Sequence, residues 1–230
     1  MQYTKGIAMK KRRADGQETR QNLLVAAGEV FARKGFWEAT NADICEKANC
    51  NNASVNYHFG SKENLYIEAW KYSFEKSIKA YPPDGGVLPT ASIEERLRGR
   101  ILSFMQRIAD PASHDFEMIH KEMANPTGLL TKTMEKVIAR IEQDFKSLLA
   151  ELLGAGASEK QIRFCHMSIM GQCFGPMLHL RHKKSEHALP PPKDMALHFD
   201  IEELADHITH FCLVGMNGIR NEIKRTQKNK

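Results

Sequence analysis

Helix-start signals and chain breakers alternate along nearly the whole of this sequence. Side chains that cap helices stand at Asp15 with Glu18, Thr40 with Asp43, Ser61, Ser92 with Glu95, Ser158 with Gln161, and Asp200 with Glu203. Glycine, asparagine or proline follows the apolar stretches, at Gly35, Asn49, Asp110–Pro111, Gly154, Gly156 and residues 189–193. No stretch alternates apolar and polar residues as a half-buried strand does. These patterns predict an all-α protein of about nine or ten helices in two groups.

The segment YPPDGGVLPT, residues 81–90, is the strongest candidate domain boundary, because it contains three prolines and two glycines. It separates a smaller N-terminal helical group from a larger C-terminal one. We predict a basic N-terminal arm over residues 1–14, a helix-turn-helix domain over 15–62, a connecting helix over 63–81, a larger helical domain over 82–224 and a basic tail over 225–230.

Positive charge is concentrated at the two ends of the chain. Residues 1–13 and 224–230 hold nine lysines and arginines and no acidic residue, whereas the net charge of the whole chain is +5. The residues between them therefore carry a net charge of −4, which argues against a general polyanion binder. Any affinity for nucleic acid must lie in a small region. The N-terminal arm either contacts phosphates or is solvated and disordered.

Composition also limits the class of protein and its compartment. Apolar residues make up 42% of the chain, which suffices for a globular core. No apolar run approaches the roughly 20 residues that span a bilayer. The N-terminus lacks the order of basic and apolar segments found in a signal peptide. The five cysteines form no C-x-x-C pair, so we expect reduced thiols in a cytoplasmic protein.

The block from Phe36 to Tyr66 predicts two short helices joined by a tight turn at residues 48–51. The second helix has Val55 on its inner side and polar residues outside, which is the pattern of a helix-turn-helix whose second helix enters the major groove. Side chains suited to base edges are Asn51, Asn52, Ser54 and Asn56, and those suited to phosphates are Thr40, Tyr57, His58 and Lys62. The alternative places Tyr57 and Phe59 in the core and leaves the asparagines as an ordinary polar surface.

Three stretches of this block carry a resemblance to a known family. They are F-A-R-K-G-F, A-T-x-A-D-I-C-E-K-A and V-N-Y-H-F-G-S-K-E-x-L-Y, with unbroken spacing over about residues 16–70. Here the chain resembles the tetracycline-repressor (TetR) family of bacterial transcriptional regulators. The stretch N-N-A-S-V-N-Y-H-F-G-S-K-E, with the later E-M-A-N-P-T, resembles the CecR-like branch of that family.

The resemblance implies roles for individual residues. It makes Asn52, Ala53, Ser54 and Asn56 base-facing and Thr40, Tyr57, His58 and Lys62 phosphate-contacting. The chain departs from the family at Asn49, where a turn glycine is usual, at Asn52, where a basic residue is frequent, and at Ala42, where arginine is common. With fewer cations in the helix-turn-helix domain, which is the reading head of the protein, DNA binding should depend less on salt, unless the N-terminal arm supplies the missing charges.

The resemblance also implies that the C-terminal domain dimerises and holds a small-molecule effector. Two heads would then face successive major grooves roughly 34 Å apart on a palindromic operator. Candidate dimer residues are Phe174, Met177, Phe211, Val214, Gly215 and Gly218, with intramolecular packing as the alternative. Candidate pocket residues are Phe104, Met105, Ile108, Phe116, Met118, Phe145, Phe164 and Met167, with ordinary core as the alternative. We expect an amphipathic or aromatic effector that releases a repressor from DNA.

Two other functions are weaker alternatives. An enzyme could use Glu117, His120 and Glu122, but no nucleophile, metal pattern or glycine-rich phosphate loop accompanies them. A helical adaptor would bind protein instead of DNA, and a Tyr57→Ala substitution would separate the two functions. His207 and His210 lie near Cys212 but match no closed zinc site, so we expect neither a metal nor a cofactor.

Overall fold

The computed structural model describes the backbone of residues 2–182 and 200–228, and the side chains of residues 15–177 and 200–228. These residues form nine helices and no strand, which confirms the predicted all-α class. The helices are α1 (Gln2–Glu38), α2 (Asn41–Lys47), α3 (Ala53–Phe59), α4 (Lys62–Ala80), α5 (Ile93–Ala109), α6 (His114–Ala124), α7 (Thr131–Leu153), α8 (Glu159–His182) and α9 (Ile201–Lys228). The predicted loop at residues 189–193 lies outside the described residues. No described helix is both long and apolar enough to cross a membrane.

Side-chain caps begin most helices where the sequence predicted them. Ser92 and Glu95 form a capping box at the start of α5. The hydroxyl oxygen of Ser61 accepts from the Asn64 amide at 3.2 Å at the start of α4. Before α8, the Ser158 hydroxyl accepts from the Gln161 amide at 3.3 Å. Each bond satisfies an amide that the first turn of a helix leaves without an intrahelical partner.

The start of α1 differs from the prediction. The helix begins at Gln2, so Asp15 is an interior residue, and its carbonyl accepts from the Thr19 hydroxyl at 2.8 Å. A capping pair does not force a helix to start when good helix formers and no proline precede it, as in residues 2–14. The predicted basic arm is therefore the first part of α1. Gly35, with φ of 76°, interrupts the regular helix as predicted, because glycine adopts this conformation without strain.

The chain divides into two compact units. The first contains Met1–Ser77 together with Ala112–Thr133, and the second contains Ile78–Pro111 together with Met134–Lys230. Helix α6 therefore belongs to the N-terminal unit, whereas the sequence assigned it to the domain at 82–224. Its Phe116 and Met118 are 6% and 0% exposed, and α6 packs against α1. An apolar helix face specifies burial but not the surface that buries it.

The core of the first unit is built around α1. The apolar stripe of this helix is buried, at Leu23, Leu24, Ala27, Val30 and Phe31. The Phe31 ring meets the buried Tyr66 ring edge-on at 4.8 Å between centroids, which is a favourable arrangement of aromatic rings. Gly28 permits a close approach, because a Cβ atom there would lie 2.8 Å from the Ser73 hydroxyl oxygen.

In the second unit, α5 packs against both α8 and α9. It buries Leu97, Ile101, Met105 and Ile108 on one face. Gly85, with φ of 68°, lies so close to Gly99 of α5 that a Cβ atom would collide with the Gly99 backbone. The loop of residues 81–90 is therefore held against α5 by two glycines, which only residues without side chains allow.

Candidate nucleic-acid interface

Helix α2 begins at a capping box whose acidic member is further stabilised. The Thr40 hydroxyl accepts from the Asp43 amide at 3.1 Å, and the Asp43 carboxylate accepts from the Thr40 amide at 3.0 Å. Lys34 donates to the same carboxylate at 2.8 Å. The hydrogen bond from Lys34 and those from Thr40 lower the pKa of Asp43 to about 2. Thr40 is exposed, and its hydroxyl proton remains available for a phosphate.

The turn after α2 is a Schellman motif. Asn49 has φ of 50°, a left-handed conformation that asparagine adopts more readily than most residues other than glycine. Its amide donates to the Glu46 carbonyl at 3.2 Å, and the Cys50 amide donates to the Cys45 carbonyl at 2.9 Å. These two bonds satisfy carbonyls at the end of α2 and determine where the chain enters α3.

Asn51 begins α3 by capping it. Its side-chain oxygen accepts from the Ala53 amide at 2.9 Å, and its carbonyl accepts from the Ser54 amide at 2.8 Å. The side-chain oxygen of Asn51, which the sequence offered to a base, therefore already accepts a hydrogen bond from the start of α3. The spacing alone could not distinguish a cap from a base reader, because asparagine suits both roles.

The outer face of α3 is polar and exposed. Val55 and Phe59, at 0% and 7% exposure, turn inward as predicted. Asn52, Ala53 and Asn56 are exposed, and Ser54 is half-buried beside them. Tyr57 is 83% exposed, which contradicts the alternative that placed it in the core.

The candidate phosphate contacts flank this face. The Tyr57 ring meets the His58 ring edge-on at 4.8 Å. Burial lowers the pKa of His58 below 6.5, and the charge of Arg20 lowers it further. Both effects favour the neutral ring, which can offer one N–H to a phosphate.

Two cations lie over aromatic rings of the same unit. The Lys62 ammonium is 4.4 Å from the centre of the Phe36 ring, and the Arg20 guanidinium is 4.9 Å from the centre of the Phe59 ring. Arg20 is not among the predicted site residues, because nothing in the sequence around it in α1 indicates that its side chain reaches α3. Arg20 contributes a cation next to a helix whose own outer face has none.

Comparison with known proteins decides the family. Residues 93–216, more than half of the chain, match the C-terminal domain of the HTH-type transcriptional dual regulator CecR, and residues 23–69 match the bacterial regulatory proteins of the tetR family. The chain belongs to the TetR family. It is a helix-turn-helix DNA-binding transcriptional regulator with a CecR-type C-terminal region, and the family consists of regulators and not enzymes.

Similar TetR-family proteins are bacterial regulators. HTH-type transcriptional regulator SrpR of Pseudomonas putida is 26% identical over 148 residues, which are 64% of this chain and 67% of SrpR. The transcriptional repressor NicS of Pseudomonas putida is 28% identical over 152 residues, 66% of this chain and 65% of NicS. CecR of Shigella flexneri is 24% identical over 172 residues, 68% of this chain and 74% of CecR. The chain thus spans about two thirds of the first two relatives.

Solved structures share the TetR fold at low identity. A TetR-like transcriptional regulator from Rhodococcus sp. RHA1 superposes with a TM-score of 0.62 at 17% identity, covering 87% of this chain and 96% of that one. The fatty acid degradation regulator FadR from Bacillus halodurans gives 0.58 at 15% identity, covering 84% and 94%. These likenesses establish the fold.

The predicted pocket residues of this TetR-family chain are divided between the two units. Phe116 and Met118 lie on α6 in the first unit, whereas Phe104, Met105, Ile108, Phe145, Phe164 and Met167 lie in the second. Phe164 and Met167 are 57% and 65% exposed, so they do not line an enclosed cavity within the chain. Helix α8 carries apolar residues around much of its circumference, and periodicity could not tell which side is covered.

Arg100 is a polar residue that the pocket prediction missed. Its guanidinium lies 5.8 Å from the centre of the Phe145 ring, and the His166 ring meets Phe145 edge-on at 5.1 Å. Burial lowers the pKa of Arg100, although Asp144 and Asp84 act in the opposite direction. Among the described residues, no carboxylate forms an ion pair with it. Phe104, one turn further along α5, packs near Phe174 with 6.3 Å between ring centroids.

The predicted dimer residues separate into two groups. Met177 is 0% exposed and belongs to the interior of the second unit, so it is not available to a partner. Phe174 is half-buried. Phe211 and Val214 are 60% and 59% exposed, and Gly215 and Gly218 are exposed beside them on α9.

A cleft of about 310 Å³ in the first unit is lined by Lys34, Gly35, Phe36, Trp37, Glu38, Tyr66, Lys121, Glu122 and Asn125. Its Glu122 carboxylate accepts from the Tyr66 hydroxyl at 3.1 Å, the Thr127 amide at 2.9 Å and the Gly128 amide at 2.9 Å. The E-M-A-N-P-T stretch thus ends α6 and begins a loop that is held by its own glutamate. Glu122, considered above as part of an enzyme site, has a structural role here.

Proposed function

We propose that the protein is a homodimeric repressor that binds a palindromic operator and is released from it by a small amphipathic or aromatic molecule. The main support for operator binding is the exposed polar face of α3, a helix held in place by buried Val55 and Phe59. Asn52 and Asn56 on this face can pair with adenine, and Tyr57 and Thr40 can contact the flanking phosphates.

Two exposed stripes on the second unit support the homodimer. One follows α8 through Phe164, Met167, Gly171 and Gly175, and the other follows α9 through Phe211, Val214, Gly215 and Gly218. A Cβ atom at any of these four glycines would meet nothing within 4 Å, so packing within the described chain does not require them. Glycines on an exposed apolar stripe allow the backbone of a partner helix to approach closely.

The effector would enter the second unit beside Phe104 and Phe145. Arg100 gives this site a half-buried cation with no ion-pair partner among the described residues. A guanidinium in that position favours a ligand with a carboxylate or another anionic group next to its apolar part. A ligand that binds only the DNA-incompetent conformation would release the operator.

Selection of bound duplexes from a random pool tests the DNA-reading part directly. We expect an inverted repeat to be enriched, and a double Asn52→Ala, Asn56→Ala variant to lose that preference while keeping its helical content. Tyr57→Ala should weaken binding to all duplexes without changing the mass of the particle in sedimentation. Enrichment of no sequence over random competitor at moderate salt would refute the proposal.

A further inference from the structure

The turn that orients α3 brings two thiols together. In the Schellman motif after α2, Cys45 is the third residue from the end of the helix, and Cys50 is the second residue beyond its C-cap. These are the two positions whose side chains commonly touch in this motif, and both are cysteines in this chain. Both thiols are free.

The two thiols have different environments. Cys45 is 1% exposed, and its Sγ donates to the Asn51 carbonyl at 3.5 Å. Cys50 is half-buried at the edge of the turn. Burial, together with interaction with the Cys50 thiol, raises the pKa of Cys45 to about 11. Cys45 therefore remains a protonated thiol near neutral pH, and Cys50 is the one an outside reagent can reach.

The backbone separation is compatible with a covalent link. The 2.9 Å hydrogen bond from the Cys50 amide to the Cys45 carbonyl connects the two residues directly. Standard bond lengths then limit the distance between their Cα atoms to about 7 Å. A disulfide needs Cα atoms roughly 4.4–6.8 Å apart, which this turn can meet with a small adjustment.

We propose that Cys45 and Cys50 are a site of reversible oxidation by hydroperoxides, and that the resulting disulfide weakens operator binding. The Cys50 thiolate attacks one peroxide oxygen, the O–O bond breaks, and Cys50 becomes a sulfenic acid. The leaving alkoxide (hydroxide, from hydrogen peroxide) takes up the proton that the Cys50 thiol had released and departs as an alcohol (or water). The Cys45 sulfur then attacks the Cys50 sulfur and a water molecule leaves, carrying the Cys45 proton. One peroxide thus takes two electrons from two thiols.

The disulfide would alter the reading head through Asn51. A disulfide sulfur has no proton to donate, so Cys45 must give up its hydrogen bond to the Asn51 carbonyl, and the bonded sulfurs draw together to about 2.05 Å. Asn51 caps α3 through the Ala53 and Ser54 amides. A shift of this cap reorients the helix that carries Asn52 and Asn56. This effect on affinity rests on the operator binding proposed above.

Peptide mapping tests the chemistry, because Lys47 lies between the two cysteines. Full-length reduced protein is treated with hydrogen peroxide, alkylated without reductant and digested with trypsin. We expect peptides 35–47 and 48–62 to be found linked, and to separate on reduction with dithiothreitol. Cys50→Ser and Cys45→Ala variants should give no linked pair, whereas Cys173→Ser, which changes a buried thiol of the second unit, should still give it. Absence of the linked pair from the wild type would overturn the inference.

Fluorescence anisotropy with the selected operator tests the consequence. We expect peroxide to weaken wild-type binding at least tenfold, dithiothreitol to restore it, and bound operator to slow the oxidation. The Cys50→Ser variant should not respond to peroxide. An unchanged affinity of the linked protein, or an equal loss in Cys50→Ser, would overturn the regulatory role. If the reduced protein selects no operator, the proposed function fails, and the peptide map still decides whether the thiols pair.

Discussion

Removal of the Tyr66 hydroxyl tests the hydrogen bonding that holds the loop after α6 in the first unit. Tyr66 is 0% exposed, and its hydroxyl donates to the Glu122 carboxylate at 3.1 Å. Burial, followed by the charge of Glu122, raises the pKa of Tyr66 well above 10, so the hydroxyl is protonated and can donate near neutral pH. Tyr66→Phe deletes this donor and leaves the ring in place.

The size of the loss follows from what Glu122 retains. A hydrogen bond to a charged group contributes about 1.5–3 kcal/mol. Glu122 keeps the Thr127 and Gly128 amides as donors, so its charge remains hydrogen-bonded. The lower end of this energy range therefore applies. We therefore expect Tyr66→Phe to lower the free energy of unfolding by about 1.5 kcal/mol. For a chain of this size the melting temperature should fall by roughly 3–6 °C.

Chemical denaturation of the purified variants measures this loss. Tyr72→Phe is the matched control, because Tyr72 is half-buried on the same helix and contacts Lys76 through its ring face. In a Glu122→Ala background, Tyr66→Phe should cost almost nothing, since its acceptor is gone. A loss below about 0.5 kcal/mol, or an equal loss with and without Glu122, would refute the reasoning.

Three further predictions concern the reading head and the exposed stripe. The pKa of Asp43 is about 2 in the folded chain and ordinarily 3.8. The ionised carboxylate therefore stabilises the fold above pH 3.8, and this contribution is lost as the pH falls toward 2. Asp43→Asn should remove part of the acid dependence of unfolding measured between pH 5 and 2. Asn49→Gly should raise the free energy of unfolding by up to about 1 kcal/mol in denaturant titrations, because φ at this position is 50°, and an equal or lower stability would contradict the role of the turn. Val214→Glu should dissociate the proposed dimer in sedimentation experiments without lowering helical content, since Val214 is 59% exposed in the single chain. A dimer of unchanged affinity would exclude the α9 stripe from the interface.

Local interactions explain the predictions that the structure confirmed. The capping boxes at Thr40 and Ser92 and the positive φ angles at Gly35 and Asn49 involve residues no more than a few positions apart. Such features are properties of a short stretch of chain, so its residues determine them wherever the stretch lies in the fold. The same holds for Val55 and Phe59, whose spacing in α3 left only one side that could be buried.

Sequence alone thus determined that the chain is helical, where most helices begin and end, and which short helix carries an exposed polar face. The tertiary structure decided the rest: that α6 packs with α1, that Met177 is buried while Phe164 is exposed, and that Arg20 reaches the Phe59 ring. Hydrophobic burial is not directional, so an apolar face indicates only that some other apolar surface packs against it. Which surface packs there depends on residues far away in the chain, which meet only once the whole chain has folded.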